Sequence, residues 1–398
     1  MPWNNTSLKR ERRRLVRALS DREQSVTYWC RFFGISRKTA YKWRRRFEEG
    51  GRRNLGDRSR RPQRVPLRMS RKWVGRIART RQRFRHWGPK KIQTCLLRQY
   101  GQAPATVTIA RWLQRLQLVN PRRRRPRKAC WLKVRPLTLG RSPNQVWTAD
   151  FKGWFRTGNG QRIEPLTVRD LSSRYLLVIR LLPDQRWRPV KAVFMRLFKC
   201  YGLPRVIRTD NGGPFASTGP AGLSRLSAWW TSLGIRAEFI RPGHPEENGG
   251  HEQMHRLLKA ETSRPPAWTR RGQQHRTTGW VQKYNRVRPH QALAQAVPAS
   301  RYRKSVRRWP EPLPRLNYPA VWEQRQVRTN GQIKWRGRKR FIGEAFVGQR
   351  LGLRPIQRTV QAVYFDRLLI GHLHEHDPGA MRPAVYQRRR LATSKLKL

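Results

Sequence analysis

Asp150, Asp210 and Glu252 are three carboxylates in a chain that has only 22 Asp+Glu against 90 Lys+Arg. Each of the two aspartates ends a run typical of a β-strand, at 146–149 and 205–209, and Glu252 lies early in a helical pattern. Carboxylates at the ends of such elements can converge on divalent metal ions, and metal bound to phosphate is a means by which nucleic acid is cut and joined. We therefore predict a metal-dependent site that acts on nucleic acid.

The composition predicts a partner that is a polyanion. The formal net charge is +68, which gives affinity for phosphate backbones through counterion release, although many of the arginines could simply be solvated surface charges. A hydrophobic content of 37% with 17 Trp is enough for folded cores and excludes a disordered polycation. The chain has no Gly-Lys dipeptide, hence no P-loop, and its four cysteines lack the spacing of a zinc site.

The region before residue 50 has the pattern of a helix-turn-helix unit. Gly34 is suited to the turn and Ser36 to capping a helix over 37–47. The apolar positions of that helix keep helical spacing, so the opposite face is predicted to meet the major groove of DNA, as recognition helices do. A basic, solvated helix is the alternative. The predicted DNA-binding side chains are Arg37, Lys38, Thr39 and Lys42.

A second unit of the same type is predicted further along. Helices follow Gly88-Pro89 and Gly101, and Thr106 is the predicted N-cap of the last of them. Two helical units in tandem would bind a longer DNA site than either alone.

Beyond residue 144 the pattern changes to strands alternating with helices. The predicted order is βββαβαβα, a mixed sheet with helices on its faces. The strands are predicted at 145–151, 162–169, 174–182, 205–209 and 235–240, and the helices at 189–201, at 222–233 and from near Gly249. Five short strands with turn signals in 321–375 predict a small β-barrel at the C-terminal end.

The resulting fold class is multidomain α/β, and eight segments are predicted. They are a helix-turn-helix unit (1–50), a basic linker (51–69), a second helix-turn-helix unit (70–119), a basic linker (120–143), a catalytic core (144–304), a Pro-rich linker (305–320), a small β-barrel (321–377) and a basic tail (378–398).

The surroundings of the three carboxylates resemble those of DDE transposases and retroviral integrases. The segments are Thr148-Ala149-Asp150-Phe151-Lys152-Gly153, Arg208-Thr209-Asp210-Asn211-Gly212, and the run from His244 to His255 that holds Glu252. Tyr284-Asn285, Arg288-Pro289-His290, Leu293 and Pro298 resemble the closing segment of insertion-sequence transposases with an integrase-type core. The resemblance covers most of the chain, including the flanking helical units and the small barrel.

This resemblance implies a ribonuclease H-like core in which Asp150, Asp210 and Glu252 hold two Mg²⁺ or Mn²⁺ ions per active site, with Asp150 as the bridging ligand. It implies a DNA transposase that binds the ends of its mobile element, the terminal inverted repeats, and joins them to target DNA. A homodimer or larger assembly on double-stranded DNA in the bacterial cytosol is expected. The alternatives are an inactive DNA-binding or DNA-compacting protein and a ribonuclease H-type or Holliday-junction nuclease.

Two residues compete for the third carboxylate position. Glu246 follows Asp210 with 35 residues between them, the spacing of many integrases, whereas Glu252 follows it with 41 between. We predict Glu252, because Pro245 and Gly249 place Glu246 in a loop, whereas Glu252 lies inside a helix and matches the family step Asn-Gly-x-x-Glu. An insertion in the Gly-rich stretch near 217–224 accounts for the additional residues.

Other polar residues near the three acids are predicted to contact DNA or to order the site. Asp170 and Glu164 are predicted to be structural. The chain departs from the family at Gly250 and Gln253, where a basic residue is often found. The predicted contacts to substrate come from Lys152, Asn211, His255, Arg256 and Lys259.

Overall fold

The computed structural model describes residues 7–21, 23–59, 69–119, 137–241 and 244–384, except for the side chains at 245 and 246. Two compact units are present, Met1–Ser70 and Arg71–Leu398. Most of the basic linker 120–143, much of the linker 51–69 and most of the tail 378–398 lie outside the described residues. Within the described ranges, no helix is both long and apolar enough to cross a membrane.

The first unit is a bundle of three helices. They are α1 (Leu8–Ser20), α2 (Val26–Phe32) and α3 (Arg37–Gly50), followed by a 3₁₀ turn at Gly51–Leu55. Ser36 caps α3 as predicted, since its Oγ accepts a hydrogen bond from the Thr39 amide at 3.3 Å. Gly34 has a φ of 61° and supplies the turn between α2 and α3. The predicted helix-turn-helix geometry is therefore present, and it is held by a core that includes Leu15 and Trp43.

The second unit begins with three more helices. They are α4 (Arg71–Arg83), α5 (Pro89–Tyr100) and α6 (Thr106–Arg115). The predicted cap at Thr106 is wrong: the N-cap is Ala105, and the Thr106 hydroxyl instead donates to Gln93 Oε1 at 2.6 Å. That bond ties the start of α6 to α5, which the local sequence around Thr106 could not indicate.

The central part of the second unit is a mixed sheet covered by helices. Its elements are β1 (Val146–Phe151), β2 (Phe155–Arg156), β3 (Arg162–Asp170), β4 (Leu176–Leu182), α7 (Trp187–Tyr201), β5 (Val206–Thr209), α8 (Arg225–Ser232), β6 (Arg236–Phe239), α9 (Gly249–Thr262), α10 (Arg270–Arg286) and α11 (Pro298–Arg301). The strand order is β2-β3-β1-β5-β6, and β4 pairs with β3. β1, β3 and β4 pair antiparallel, whereas β1–β5 and β5–β6 are parallel. The predicted mixed sheet is confirmed, with the short β2 as an element the sequence did not indicate.

Both faces of the sheet are buried. A large hydrophobic cluster joins the sheet to α7 and α8 and includes Trp147, Phe194 and Trp230. A second cluster packs α9 and α10 on the strands, with Met254 1% and Leu258 2% exposed. Because both helix layers pack on the sheet, the ends of β1 and β5 are held in fixed positions.

The C-terminal part is a small antiparallel β-domain. Its strands are β7 (Glu323–Gln326), β8 (Gln332–Trp335), β9 (Arg338–Phe341), β10 (Arg350–Gln357), β11 (Val360–Phe365), β12 (Leu368–His374) and β13 (Arg382–Pro383). Five of them form the sheet β13-β12-β11-β10-β7, and β8 pairs with β9. The β8–β9 hairpin contacts both sheet edges, through Arg325 Nε to the Lys334 carbonyl and through the Phe341–Ala380 bridge. The strands thus curve around one core, as predicted for a small barrel, but six strands rather than five occupy residues 323–374.

Candidate active site

The two aspartates lie at the same edge of the sheet because their strands are parallel neighbours. Thr148 of β1 pairs with Arg208 of β5. Asp150 follows Thr148 by two residues and Asp210 follows Arg208 by two, so the two aspartates lie side by side at the same edge of the sheet. The structure brings together the two residues that the sequence placed at strand ends.

Glu252 lies in the first turn of α9, where the sequence predicted it, and its side chain is exposed. The opposite side of α9 is buried through Met254 and Leu258. The pKa of Asp150 is raised to about 7 by burial, by the charge of Asp210 and, more weakly, by that of Glu252. The charges of Asp210 and Glu252 therefore both act on Asp150 at this edge of the sheet.

The donor atoms at this edge suit a hard divalent cation. Asp210 Oδ1 is buried and has no hydrogen-bond partner among the described residues. Asp150 Oδ2 accepts a hydrogen bond of 3.2 Å from the side-chain amide of Asn248. A buried carboxylate oxygen without a partner costs free energy, and a cation coordinated there would offset that cost. The residues present thus fit a metal bound between Asp150 and Asp210.

A second possible set of ligands is Asp150, His251 and His255, whose donor atoms lie within 4.8 Å of one another. The three predicted carboxylates form no group that meets this distance in the described part of the chain. His251, however, has both ring nitrogens in use, at 3.1 Å from Thr167 Oγ1 and at 2.7 Å from Thr148 Oγ1. A histidine bonded at both nitrogens has no lone pair for a metal, so we favour the carboxylates as the ligand set.

His251 was not singled out by the sequence, yet it connects α9 to the sheet. Its side chain is fully buried, and burial lowers its pKa well below the ordinary value, which keeps the ring neutral. His255, one turn later, lies 2.9 Å from Thr167 Oγ1, and its Nδ1 lies 3.9 Å from Asp150 Oδ2. Burial and the nearby Lys152 lower the pKa of His255 to about 3. Two features of the sequence could have indicated these contacts: the spacing of four residues between the two histidines, which places them on one side of a helix, and the Thr-x-Asp step of β1.

Arg169 explains the glycine at position 250. Its guanidinium is buried, donates to the Gly250 carbonyl at 2.9 Å and to Thr148 Oγ1 at 3.3 Å, and has its pKa lowered to about 10 by burial. A Cβ at Gly250 would overlap the Arg169 guanidinium. A side chain at position 250 would therefore require Arg169 to move away from its present hydrogen bonds.

The predicted substrate-contacting residues of the core lie around the same edge. Burial lowers the pKa of Lys152, as do the charges of Lys259 and Arg264, so these cations are close to one another. Arg256 and Lys259 are exposed on α9. The side-chain amide of Asn211 donates a hydrogen bond of 2.5 Å to the Ile240 carbonyl, and this bond orders the loop after β5.

The predicted DNA-binding residues of the first unit lie on the outer side of α3. Arg37, Lys38 and Lys42 are exposed. Thr39 is half-buried, and its hydroxyl lies 3.0 Å from Ser36 Oγ. Arg37 donates to the Thr27 hydroxyl at 2.5 Å, and the Thr39 hydroxyl is in contact with the cap. Lys38 and Lys42 extend from the exposed side of the helix.

Other acids near the site have structural partners. Asp170 is buried and accepts hydrogen bonds from the Asn144 amide at 2.7 Å and from Ser173, and Glu164 pairs with Arg162 at 2.6 Å. Glu247 accepts a bond of 2.9 Å from the Arg241 amide. Asp170 and Glu164 thus have the partners expected of structural residues. The side chain of Glu246 lies outside the described residues.

Family models match along the chain in the order that the fold shows. Two integrase core domain models match residues 140–245 and 233–298. A helix-turn-helix domain model matches 11–63, a homeodomain-like domain model matches 39–113, and the C-terminal domain of the IS481 family transposases matches 323–374. The fold and these matches define an integrase-core protein with helix-turn-helix domains. The predicted resemblance is confirmed at the level of these matches: the chain is similar to integrase core domains and to the C-terminal domain of an insertion-sequence transposase family.

Two curated relatives are similar over part of the chain. One is the insertion element IS407 uncharacterized 31.7 kDa protein of Burkholderia multivorans, 28% identical over 45% of this chain and 62% of the relative. The other is the insertion element IS476 uncharacterized 39.2 kDa protein of Xanthomonas euvesicatoria, 26% identical over 59% of this chain and 66% of the relative. The chain thus spans a little under two thirds of the length of these relatives.

Two solved structures are similar at low TM-scores. The simian T-cell lymphotropic virus intasome, in complex with the PP2A regulatory subunit B56 gamma, has a TM-score of 0.36 at 19% identity, over 76% of this chain and 99% of that chain. The HTLV-2 integrase catalytic core domain in complex with magnesium has a TM-score of 0.33 at 14% identity, over 41% of this chain and 98% of that chain.

Raising the pH is expected to destabilise the metal-free core. The pKa of Asp150 rises from 3.8 to about 7 on folding, so the folded state binds this proton more tightly than the unfolded state and loses stability between those pH values. The full difference corresponds to about 4 kcal/mol. Urea unfolding across this range without metal should show the loss, and Asp150→Asn should flatten the curve. An identical pH dependence in the variant and in the wild type would contradict the raised pKa.

Replacing His251 by leucine is expected to lower the free energy of unfolding of the core by about 2–3 kcal/mol, because two hydrogen bonds are lost and the Thr167 and Thr148 hydroxyls lose a buried partner. The measurement is the urea midpoint of the core. His275→Leu is the matched control, since His275 is exposed on α10, and it should change stability little. Equal effects of the two substitutions would show that the buried network contributes nothing.

Proposed function

We propose that this chain is a DNA transposase that binds the ends of its mobile element and catalyses metal-dependent DNA cleavage and strand transfer. The observation that supports this most is the convergence of Asp150 and Asp210 on one sheet edge, with the charge of Glu252 acting on Asp150. The insertion-sequence relatives and the integrase core models support the same class.

Mg²⁺ or Mn²⁺ is the proposed cofactor, with two ions held by Asp150, Asp210 and Glu252. Hard carboxylate oxygens suit these ions, and Asp210 Oδ1, which has no hydrogen-bond partner within the described part of the chain, is available to coordinate one of them. When bound, the ions supply activation of a water or a terminal 3′-hydroxyl and stabilisation of the leaving 3′-oxygen. The number of ions is taken from the family resemblance.

The protein's own groups would hold the DNA at this edge. Lys152, Arg256 and Lys259 would contact phosphates near the scissile bond, because Arg256 and Lys259 are exposed on α9 and the charge of Lys259 is felt at Lys152. Asn211 holds the loop after Asp210 in place through the Ile240 carbonyl. His255 is proposed to act as a neutral neighbour of Asp150 that orients it, in place of a cationic phosphate contact.

The helix-turn-helix units are proposed to recognise the element ends. Arg37, Lys38, Thr39 and Lys42 lie on α3, the second helix of the first helix-turn-helix, which is the element that enters the major groove in such folds. The domain divisions predicted from the sequence, and a homodimer or larger assembly that brings two ends together, remain part of this proposal.

The experiment is a comparison of duplexes from the element boundaries with scrambled duplexes, in binding and in joining assays. We expect preferential binding of the boundary duplexes at raised salt, where non-specific affinity falls steeply, and joining products only with Mg²⁺ or Mn²⁺. Equal binding of both duplexes at all salt concentrations would favour a non-specific DNA-compacting protein. Specific binding without any joining would favour an inactive DNA-binding protein.

A further inference from the structure

Trp154 is an exposed tryptophan next to the proposed catalytic edge. It lies between β1 and β2, and 54% of its surface is exposed. Large aromatic side chains are usually buried, and an exposed one beside a functional site indicates a contact surface. The fold therefore keeps this ring available for a partner.

Two arginines accompany the ring. The guanidinium carbon of Arg162 lies 4.8 Å from the centroid of Trp154, and that of Arg156 lies 6.0 Å from it. Arg156 and Arg162 are direct cross-strand partners in β2 and β3. Part of each guanidinium is already bonded, since Arg162 donates to Glu164 Oε1 from Nε and Nη2, and Arg156 donates to the Gly160 carbonyl from Nη1 at 2.8 Å. Both side chains are nevertheless exposed, so a polyanion bound over them would meet two positive charges side by side. We name Trp154, Arg156 and Arg162 the hairpin platform.

The short stretch of chain between Asp150 and Trp154 keeps the hairpin platform close to the catalytic edge. Trp154 follows Asp150 by four residues, and successive Cα atoms are about 3.8 Å apart, so the two Cα atoms are within about 15 Å of each other. At a rise of about 3.4 Å per base pair, this corresponds to about four base pairs of duplex. Lys152 lies between them in the chain, with Lys259 and Arg264 nearby, so positive charge continues from Asp150 towards Trp154.

The charge of the platform decides between the possible partners. A second copy of this chain would bring a further +68 to two arginines that already face each other. A DNA strand offers both phosphates for the arginines and base rings for the indole. Stacking of bases on aromatic side chains within a positively charged groove is how proteins hold unpaired nucleotides.

We propose that the hairpin platform holds an unpaired base, stacked on Trp154, within about four nucleotides of the scissile phosphate. This inference rests on the proposed function. Opening the duplex at this point would expose the scissile phosphate to the carboxylates. Arg156 and Arg162 would contact the phosphates that flank the stacked base.

The test uses the full-length protein and boundary duplexes with 5-iodouracil at single positions on either side of the scissile phosphate. Illumination should cross-link the DNA to Trp154 from one or two of these positions, which peptide mapping would locate. Trp154→Leu should remove the cross-link and weaken binding of these duplexes about 5- to 100-fold, which corresponds to the loss of one stacked base. Trp154→Phe, which keeps an aromatic ring, should restore most of the binding.

Trp268→Leu is the matched control. Trp268 is 72% exposed, and its carbonyl accepts a hydrogen bond of 2.9 Å from the Asn159 amide in the turn between β2 and β3. The substitution therefore controls for the loss of an exposed tryptophan that contacts the same hairpin outside the hairpin platform. We expect it to bind the boundary duplexes as the wild type does. Arg156→Gln, in addition, should weaken binding and make it less dependent on salt, because one phosphate contact is lost.

The outcomes separate this inference from the proposed function. If the boundary duplexes are bound and joined but no position cross-links to Trp154, and Trp154→Leu binds normally, the hairpin platform is refuted and the transposase proposal stands. If no boundary duplex is bound preferentially, the proposed function fails first. A change of oligomeric state in Trp154→Leu with unchanged DNA binding would assign the surface to a second copy of the chain and would overturn the inference.

Discussion

Replacing Asp150 by asparagine is expected to reduce Mg²⁺-dependent DNA joining on the order of 10³-fold, while binding of boundary duplexes stays close to wild type. Metal stabilisation of a phosphoryl transition state is worth several kcal/mol, and each 1.36 kcal/mol corresponds to a tenfold change in rate. Asp150 is the ligand that we propose to be shared by the metal ions, because β1 lies in the sheet beside β5 and because the charges of both other acids act on Asp150. Asp210→Asn is expected to have a comparable effect.

The same substitution carries an internal check against misfolding. Asparagine has the size of aspartate but no charge, so Asp150→Asn should raise the stability of the metal-free core above pH 7, where the wild type has paid the cost of a charged Asp150. A variant that is more stable and yet does not join DNA has lost chemistry and kept its fold. Asp184→Asn is the matched control, since this aspartate is 39% exposed and pairs with Arg186 outside the site. Unchanged joining by Asp150→Asn would refute the site assignment.

Glu252→Gln is expected to reduce DNA joining as strongly as Asp150→Asn does, whereas Glu246→Gln should change the joining rate less than a few-fold. Glu252 is exposed in the first turn of α9, a helix whose other side is buried against the sheet. Its position is therefore fixed relative to Asp150 by packing, and catalytic groups need that fixation. Glu246 lies in the preceding 3₁₀ turn, Pro245–Asn248.

The two glutamates form a matched pair, since each substitution removes one charge from the same segment. Joining rates with saturating boundary duplex, together with the Mn²⁺ concentration needed for half of the maximal rate, separate a lost ligand from a lost DNA contact. If Glu246→Gln does not join DNA and Glu252→Gln does, the third carboxylate of the site would be assigned to Glu246. Loss of activity in both would assign the segment a role in DNA binding and would require a new choice of ligand.

Much of the fold could be predicted because its signals are local. Ser36 caps α3 through a neighbour three residues away, and the apolar spacing of Met254 and Leu258 identifies the buried side of α9. The two strands that end near Asp150 and Asp210 show as short apolar runs. Thr106 is the counter-example, because its side chain bonds Gln93 of another helix, a partner that no local pattern can indicate.

The sequence by itself determined most of the element types and their order, and it singled out the three carboxylates, since strand and helix periods and end residues are properties of neighbouring residues. Only the tertiary structure decided how those elements are joined at the site. His251 bonds Thr148 and Thr167, which are 103 and 84 residues away in the chain, and Arg169 fills the space above Gly250. Such pairings depend on how sheet and helices pack, because the side chains that meet belong to strands and helices far apart in sequence. The opposed arginines beside Trp154 likewise follow from the pairing of β2 with β3, a register that the chain reveals only when folded.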